Sequence, residues 1–288
     1  QRRTVGLPGR RSLGLGRTGL HPTLLKSPYR MEILTLAQLQ SRGQNAEYLF
    51  WVGCAGSFDD RAKKVTLAVT QILHHADLSF AVLGTEESCT GDPARRSGNE
   101  FLFQMQAAQN ISTLNAYGVK KIVTACPHCF NTLRNEYPEL GGQYEVVHHS
   151  TLIQQLINEG RLRLQDGGPY KGRRITFHDS CYLGRANGIY EAPRDLIRAL
   201  DADLVEMRRS KRNGLCCGAG GAQMFKEAEA GRLEINHERA SDMAASGAET
   251  VAVACPFCMT MLKDAASQTG QDKVQVLDLA EITAGSLA

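Results

Sequence analysis

The cysteines of this chain repeat. Cys54 and Cys181 are 127 positions apart, as are Cys89 and Cys216, and Gly91 and Gly218, while Cys126 and Cys255 are 129 apart, as are Cys129 and Cys258. Self-similarity at a near-constant offset marks a duplicated unit, so one fold must place four cysteines usefully twice over. The local sequence agrees: Val123-Thr-Ala-Cys-Pro-His-Cys matches Val251-Ala-Val-Ala-Cys-Pro-Phe-Cys in kind. The expected organisation is a first module at 46–160 with four cysteines and a second at 170–288 with five. A Gly-rich, charged linker at 158–174 joins them.

Each half alternates short apolar, β-branched runs with helical patterns. Strands are expected at 48–54, 79–83, 121–125 and 144–147, then at 174–178, 202–207, 250–254 and 274–277. Helical stretches fall between them, as at 60–75, 98–117 and 193–200. This alternation predicts an α/β protein of two Rossmann-like modules related by a pseudo-twofold axis. Each module has a mainly parallel sheet of about four strands flanked by helices. In such sheets ligands gather outside the carboxyl ends of the strands. The cysteines fall there: Cys54 at the end of strand one, Cys89 after strand two, and Cys126 after strand three, where Cys126-Pro127-x-Cys129 opens a helix with proline in its first turn. The second half repeats this with Cys181, Cys216, Cys217, Cys255 and Cys258. Helix N-termini and glycine amides there favour thiolates and an anionic cofactor.

Nine cysteines, an odd number, do not read as a secreted disulfide framework, and no signal-peptide pattern is present. A reducing cytosol is the expected setting. Three chemistries fit clustered thiolates. Iron–sulfur clusters take four or more, structural zinc takes four, and a dithiol redox pair takes two. A dithiol explains Cys126-Pro-His-Cys129 but not the cysteines that recur with it. Zinc leaves the fifth cysteine of the second half idle, and adjacent Cys216 and Cys217 do not easily share one tetrahedral ion. A multi-iron cluster accommodates five thiolates, and Gly218 and Gly220 of the run Gly218-Ala-Gly-Gly221 can bring backbone N–H groups to it.

Charge removes another class. The net charge is +3, but residues 1–30 hold seven basic and no acidic residues, leaving 26 basic against 30 acidic in the rest. A nucleic-acid-binding body needs the opposite balance. Residues 1–45 read as a disordered or linker tail. The letters Gly14-x-Gly16-x-x-Gly19 within it lack the strand and helix that a dinucleotide site requires. No apolar run reaches the ~18 residues of a membrane span.

The string Cys181-x34-Cys216-Cys217-Gly218-x36-Cys255-x2-Cys258 resembles the duplicated cysteine-rich "CCG" domain found in heterodisulfide reductases and in the iron–sulfur subunits of glycolate oxidase. Phe50-Trp-Val-Gly-Cys, Cys89-Thr-Gly-Asp-Pro-Ala-Arg-Arg, His178-Asp-Ser-Cys-Tyr-Leu-Gly-Arg and Cys216-Cys-Gly-Ala-Gly-Gly are similar to the bacterial branch that resembles electron-transfer-flavoprotein:quinone oxidoreductases. The resemblance covers about residues 46–288. It implies a noncubane [4Fe-4S] cluster on Cys181, Cys216, Cys217, Cys255 and Cys258. Thr90 stands where Cys217 stands in the second half, leaving Cys54, Cys89, Cys126 and Cys129 for a second [4Fe-4S] cluster or zinc. With that cysteine missing, single-electron relay is a better expectation than disulfide cleavage, which in the family uses two noncubane clusters.

The implied role is an electron-transfer subunit or domain. It would take electrons from a flavoprotein or ferredoxin-type centre toward quinone or a disulfide acceptor, with turnover dependent on other subunits or domains. The family's longer members add a Cys-x2-Cys-x2-Cys-x3-Cys-Pro segment and often a membrane part; this sequence contains neither. Partners are therefore an electron-transfer flavoprotein or ferredoxin-type subunit and a membrane quinone-reducing subunit, with the chain cytoplasmic or held at the inner membrane by such a partner. The alternative is a zinc-stabilised scaffold.

Arg95-Arg96 and Arg208-Arg209-x-Lys211-Arg212 flank the cysteine loops, either offsetting cluster charge or as solvated surface. Asp92, Asp179 and Arg185 adjoin ligand cysteines, where they either shape hydrogen bonds or cap loops. His74-His75 and His148-His149 read as surface or packing residues, and His128 as facing the cluster mouth with Phe257 as its counterpart.

Overall fold

The apolar runs form two parallel sheets with the same strand order. The computed structural model describes residues 32–227, 230–271 and 273–288. In the first half, α1 (Leu36–Ser41), β1 (Tyr48–Trp51), α2 (Gly53–Phe58), α3 (Ala62–His75), β2 (Phe80–Ala81), α4 (Asp92–Arg96), α5 (Glu100–Ala116), β3 (Lys121–Thr124), α6 (Pro127–Asn131), β4 (Glu145–His148) and α7 (His149–Asn158) follow one another. The second half runs β5 (Arg174–Phe177), α8 (Glu191–Ala199), β6 (Asp203–Leu204), α9 (Ile235–Ser246), β7 (Thr250–Val253), α10 (Pro256–Gln268), β8 (Gln275–Asp278) and α11 (Leu279–Ala284). The sheet orders are β2-β1-β3-β4 and β6-β5-β7-β8, every pairing parallel. All eight expected strands are present, each no longer than its apolar run. In both sheets the order reverses at the first strand, which lies between the second and third.

Strand periodicity decides which core each side chain enters. On β1, Leu49 and Trp51 face α5, where Phe103, Ala107, Ile111 and Leu114 recur at helical spacing in the first module's own core. Tyr48 and Phe50 point the other way. There they join Val65, Val69, Ile72 and Leu73 of α3 in a core continuous with Ile175, Phe177, Val251 and Leu262 of the second module. Burial of each such side chain is worth about 1.5–3 kcal/mol, and this core draws on side chains of both modules. The helix contacts are reciprocal: α3 packs on α11, and α7 on α8. Arg61 binds Glu281 across the junction at 2.7 Å. Residues 33–288 consequently form one compact unit.

Two expectations change. Residues 36–41 of the expected tail are helical, because Thr35 and Gln38 form a reciprocal capping box and Leu39 is buried. Residues 1–31, including the Gly14-x-Gly16-x-x-Gly19 letters, lie outside the described residues. Cys54 does not end β1 but sits in the first turn of α2. The strand stops at Trp51 because the Glu87 carboxylate takes the amides of Val52 and Gly53, at 3.1 and 2.5 Å.

Candidate metal centre

Both sets of cysteines converge at the carboxyl edges of their sheets, and all nine are free thiols. In the first module Cys54 comes from α2, Cys89 from the loop before α4, and Cys126 and Cys129 from the start of α6. The four thiols lie close enough to perturb one another. Together with Thr90, Asp92, His128 and Phe257 they line a cleft of about 300 Å³, counting its open mouth. In the second module Cys181 follows β5, Cys216 and Cys217 follow β6, and Cys255 and Cys258 open α10. All five again interact. Cys217 Sγ lies 3.3 Å from Cys258 Sγ. In each module the Cys-Pro-x-Cys pair is buried, and the cysteines of the first and second loops sit nearer the rim, except Cys217, which is buried.

The glycine that follows each second cysteine loop explains part of the repeat. Gly91 and Gly218 have φ of 89° and 91°, in the left-handed region that favours glycine. That turn points the Gly91 N–H at Cys89 Sγ (3.5 Å) and the Gly218 N–H at Cys216 Sγ (3.3 Å). A Cβ on Gly91 would also lie 2.8 Å from the Phe103 ring. Gly220 serves differently: its carbonyl accepts from the Gln223 N–H and closes the next turn.

Sharing of protons divides the thiols. The hydrogen bond with Cys89 pulls Cys54 below its ordinary range, and the same bond pushes Cys89 up. Cys181 and then Cys217 pull Cys216 strongly down. Burial opposes ionisation of Cys255, but hydrogen bonds from Cys258 and His128 outweigh it and hold this thiol well below its usual value. Cys54 in the first pocket and Cys216 and Cys255 in the second are thereby held toward thiolate, the form that binds metal. The neighbouring sulfurs and burial push Cys89, Cys129, Cys181, Cys217 and Cys258 up.

Side chains around the thiols hold the loops. Asp179 is bound through both oxygens by the wholly buried Arg194, at 2.8 and 3.0 Å, and accepts the Lys211 N–H at 2.6 Å. Its role is to tie the Cys181 loop to the approach to Cys216. Arg185 donates to the Gly214 carbonyl of the same loop. Arg95 and Arg96 bind Glu136, Arg209 binds Asp242 and Glu238, and Lys211 binds Glu191, so much of the flanking positive charge is answered within the chain. His74 and His75 are exposed. His148 and His149 are buried at the module junction, where His149 Nε2 meets Asp278 Oδ1 at 2.9 Å.

His128 Nδ1 lies 2.8 Å from Asp92 Oδ2, and its ring packs at a tilt against those of Tyr182 and Phe257. Burial works against its protonation, but Asp92 and then Cys255 outweigh burial and raise its pKa well above the ordinary range.

Sequence reasoning missed Glu87, His178, Arg194 and Arg239. A ring nitrogen of His178 lies within 4.8 Å of the sulfurs of Cys217 and Cys258. Arg239 Nε donates to His178 Nδ1 at 3.1 Å, and burial followed by the Arg239 charge depresses this histidine to about 3, so the ring is neutral. The donor sets are otherwise sulfur, which suits iron–sulfur clusters or zinc and disfavours hard cations.

Fold and donors together define a duplicated cysteine-rich protein built to hold soft metal. The family model described as "CCG: Cysteine-rich domain" matches residues 48–134 and 175–263, and the chain belongs to this family. It is similar to the probable iron-sulfur-binding oxidoreductase FadF of Bacillus subtilis (44% identity over 89% of this chain and 36% of that protein) and to the EtfAB:quinone oxidoreductase of Syntrophomonas wolfei (43%, 85% and 35%). It is also 31% identical to one component of the dihydromethanophenazine:CoB--CoM heterodisulfide reductase of Methanosarcina barkeri, over 84% of this chain and 59% of that one. The chain thus spans about a third of the length of the first two relatives. No helix among the described residues is long and apolar enough to cross a membrane.

Proposed function

We propose that this chain is an iron–sulfur electron-transfer component of an oxidoreductase. Its modules, 46–160 and 170–288, each carry one metal site. Cys181, Cys216, Cys217, Cys255 and Cys258 hold a noncubane [4Fe-4S] cluster. Cys54, Cys89, Cys126 and Cys129 hold a second [4Fe-4S] cluster or zinc. A bound cluster supplies one-electron chemistry; the chain supplies thiolates, backbone N–H donors and a water-poor floor. The reading is supported by the convergence of five mutually perturbing thiols from three separate loops on the carboxyl edge of one sheet, one more than a tetrahedral ion takes.

The names of the relatives support electron flow from an electron-transfer flavoprotein or ferredoxin-type centre toward quinone or a disulfide. A membrane quinone-reducing partner would then keep the chain at the cytoplasmic face of the inner membrane. Thr90 in place of a fifth thiol favours single-electron relay over disulfide cleavage. The test is anaerobic iron, sulfide and zinc quantification with paramagnetic resonance. Iron with matching labile sulfide in a brown protein is the expected result; a colourless protein holding zinc alone overturns it.

A further inference from the structure

The two repeats differ beside their metal sites in a way the thiols do not explain. In the first, the Glu87 carboxylate accepts the Val52 and Gly53 amides at 3.1 and 2.5 Å, just ahead of Cys54. The offset of 127 that relates Cys54 to Cys181 and Cys89 to Cys216 puts Gly214 in the place of Glu87. It puts Asp179 and Ser180 in the places of Val52 and Gly53. The second repeat therefore has the amides without the carboxylate. Neither the Asp179 nor the Ser180 N–H has a hydrogen-bond partner among the described residues.

A cleft of about 220 Å³, counting its open mouth, lies here, lined by Asp179, Ser180, Arg185, Tyr190 and Gly214. Of the five thiols only Cys181 and Cys216, the two nearer the rim, reach it, so it lies beside the metal site rather than within it. Ser180 is 1% exposed, and its buried hydroxyl has no partner. Arg185 Nη2 donates to the Gly214 carbonyl, but no carboxylate pairs with this guanidinium among the described residues. Asp179, the one acid lining the cleft, is already taken by Arg194 and the Lys211 N–H, and the Lys211 ammonium by Glu191. What remains is a set of donors and one unpaired positive charge, which together suit an anion.

We propose that this cleft binds a small carboxylate from solution, whose carboxyl group takes the place that Glu87 fills in the first module. Two backbone N–H groups, the Ser180 hydroxyl and a guanidinium match a planar anion with two acceptor oxygens. The volume limits the ligand to a small organic acid, which would sit beside Cys181 and Cys216 at the rim of the second metal site. The inference holds whether that metal is an iron–sulfur cluster or zinc.

The experiment is calorimetric titration of the metal-loaded full chain with sodium acetate at neutral pH and constant ionic strength, with phosphate as the second probe. Saturable binding of one acetate per chain is expected. Arg185→Gln, at an exposed position, should weaken it about tenfold through loss of a charge-assisted hydrogen bond. Gly214→Glu supplies the carboxylate from within the chain and should abolish acetate binding; the Gly214 φ of −56° accepts a side chain. The Arg185 variant decides the matter if the Gly214 variant does not fold. Absence of saturable acetate binding overturns the proposal, as does binding that either variant leaves unchanged, or phosphate binding as tight as that of acetate. Metal content is read separately, so failure here is distinct from failure of the iron–sulfur reading.

Discussion

The hydroxyl of Thr90 lies 3.8 Å from the sulfur of Cys129, both side chains being buried. The second repeat has the same relationship in sulfur, with Cys217 Sγ 3.3 Å from Cys258 Sγ. Thr90 thus occupies the place of the missing fifth thiol rather than turning away from it. The two pockets differ by one ligand atom on nearly the same frame.

That near-identity makes Cys217→Thr a direct test. The threonine has a precedent in the other repeat and buries a hydroxyl next to Cys258, so the chain is expected to fold with an unfolding midpoint close to wild type. The second module should lose the spectroscopic signature of a five-thiolate cluster and resemble the first. An unchanged paramagnetic signal in the oxidised protein would show that Cys217 is not a ligand.

Asp179 supports the second site mechanically. Arg194 is wholly buried and otherwise donates to the Tyr190 carbonyl at 2.8 Å and to Glu206, at 2.6 and 2.9 Å, whose own side chain is 37% exposed. Asp179→Ala strips the buried guanidinium of its inner partner and is expected to cost about 3 kcal/mol. It also frees the Lys211 N–H, so proteolysis in the 208–217 loop should accelerate. Urea unfolding measures the first effect; an unfolding free energy within ~0.5 kcal/mol of wild type would refute the clamp.

The sheets were legible because strands buried on both faces need continuous β-branched and apolar runs, and runs such as Lys121–Thr124 have few other uses. The cysteine edge was legible because a parallel sheet puts every strand's carboxyl end on one side. Helix α1 carried a readable signal in Thr35-x-x-Gln38 that lay in a stretch taken for linker. The buried polar residues carried none. Arg194 serves Asp179, fifteen positions away, and Arg239 serves His178, sixty-one away, and no local pattern separates either arginine from a surface one. His149 reads as a surface or packing residue, and its partner Asp278 becomes visible only once the two modules are seen to share a core.

Glu87 gives a pH prediction. Burial pushes its carboxyl up to about 7, against the opposing pull of the Val52 and Gly53 amides. An unfolded chain ionises a glutamate near ~4.3. Between those values the unfolded state releases a proton that the folded state keeps, so the stability present below the lower pKa is lost as the pH rises toward 7. Glu87→Gln removes this titration and should flatten the stability profile between about pH 4.5 and 7 by about 1–3 kcal/mol. Urea midpoints at stepped pH decide it, and parallel wild-type and variant profiles would exclude Glu87 as the source.

The junction can be tested through His149 and Asp278, which meet at 2.9 Å with side chains 1% and 0% exposed. Asp278 also caps α11 by accepting from the Ala280 N–H at 2.8 Å, so Asp278→Ala alone loses both a cap and a cross-module bond. A double-mutant cycle with His149→Ala separates the two, because the cap survives removal of the histidine. A coupling energy of about 1–2 kcal/mol is expected for a buried pair in direct contact. Because the core is continuous from α3 to α11, both single variants should lower one shared transition rather than split it. Two resolved transitions in calorimetry, one for each cysteine-rich half, would show that the modules are separately stable and that this contact does not join them.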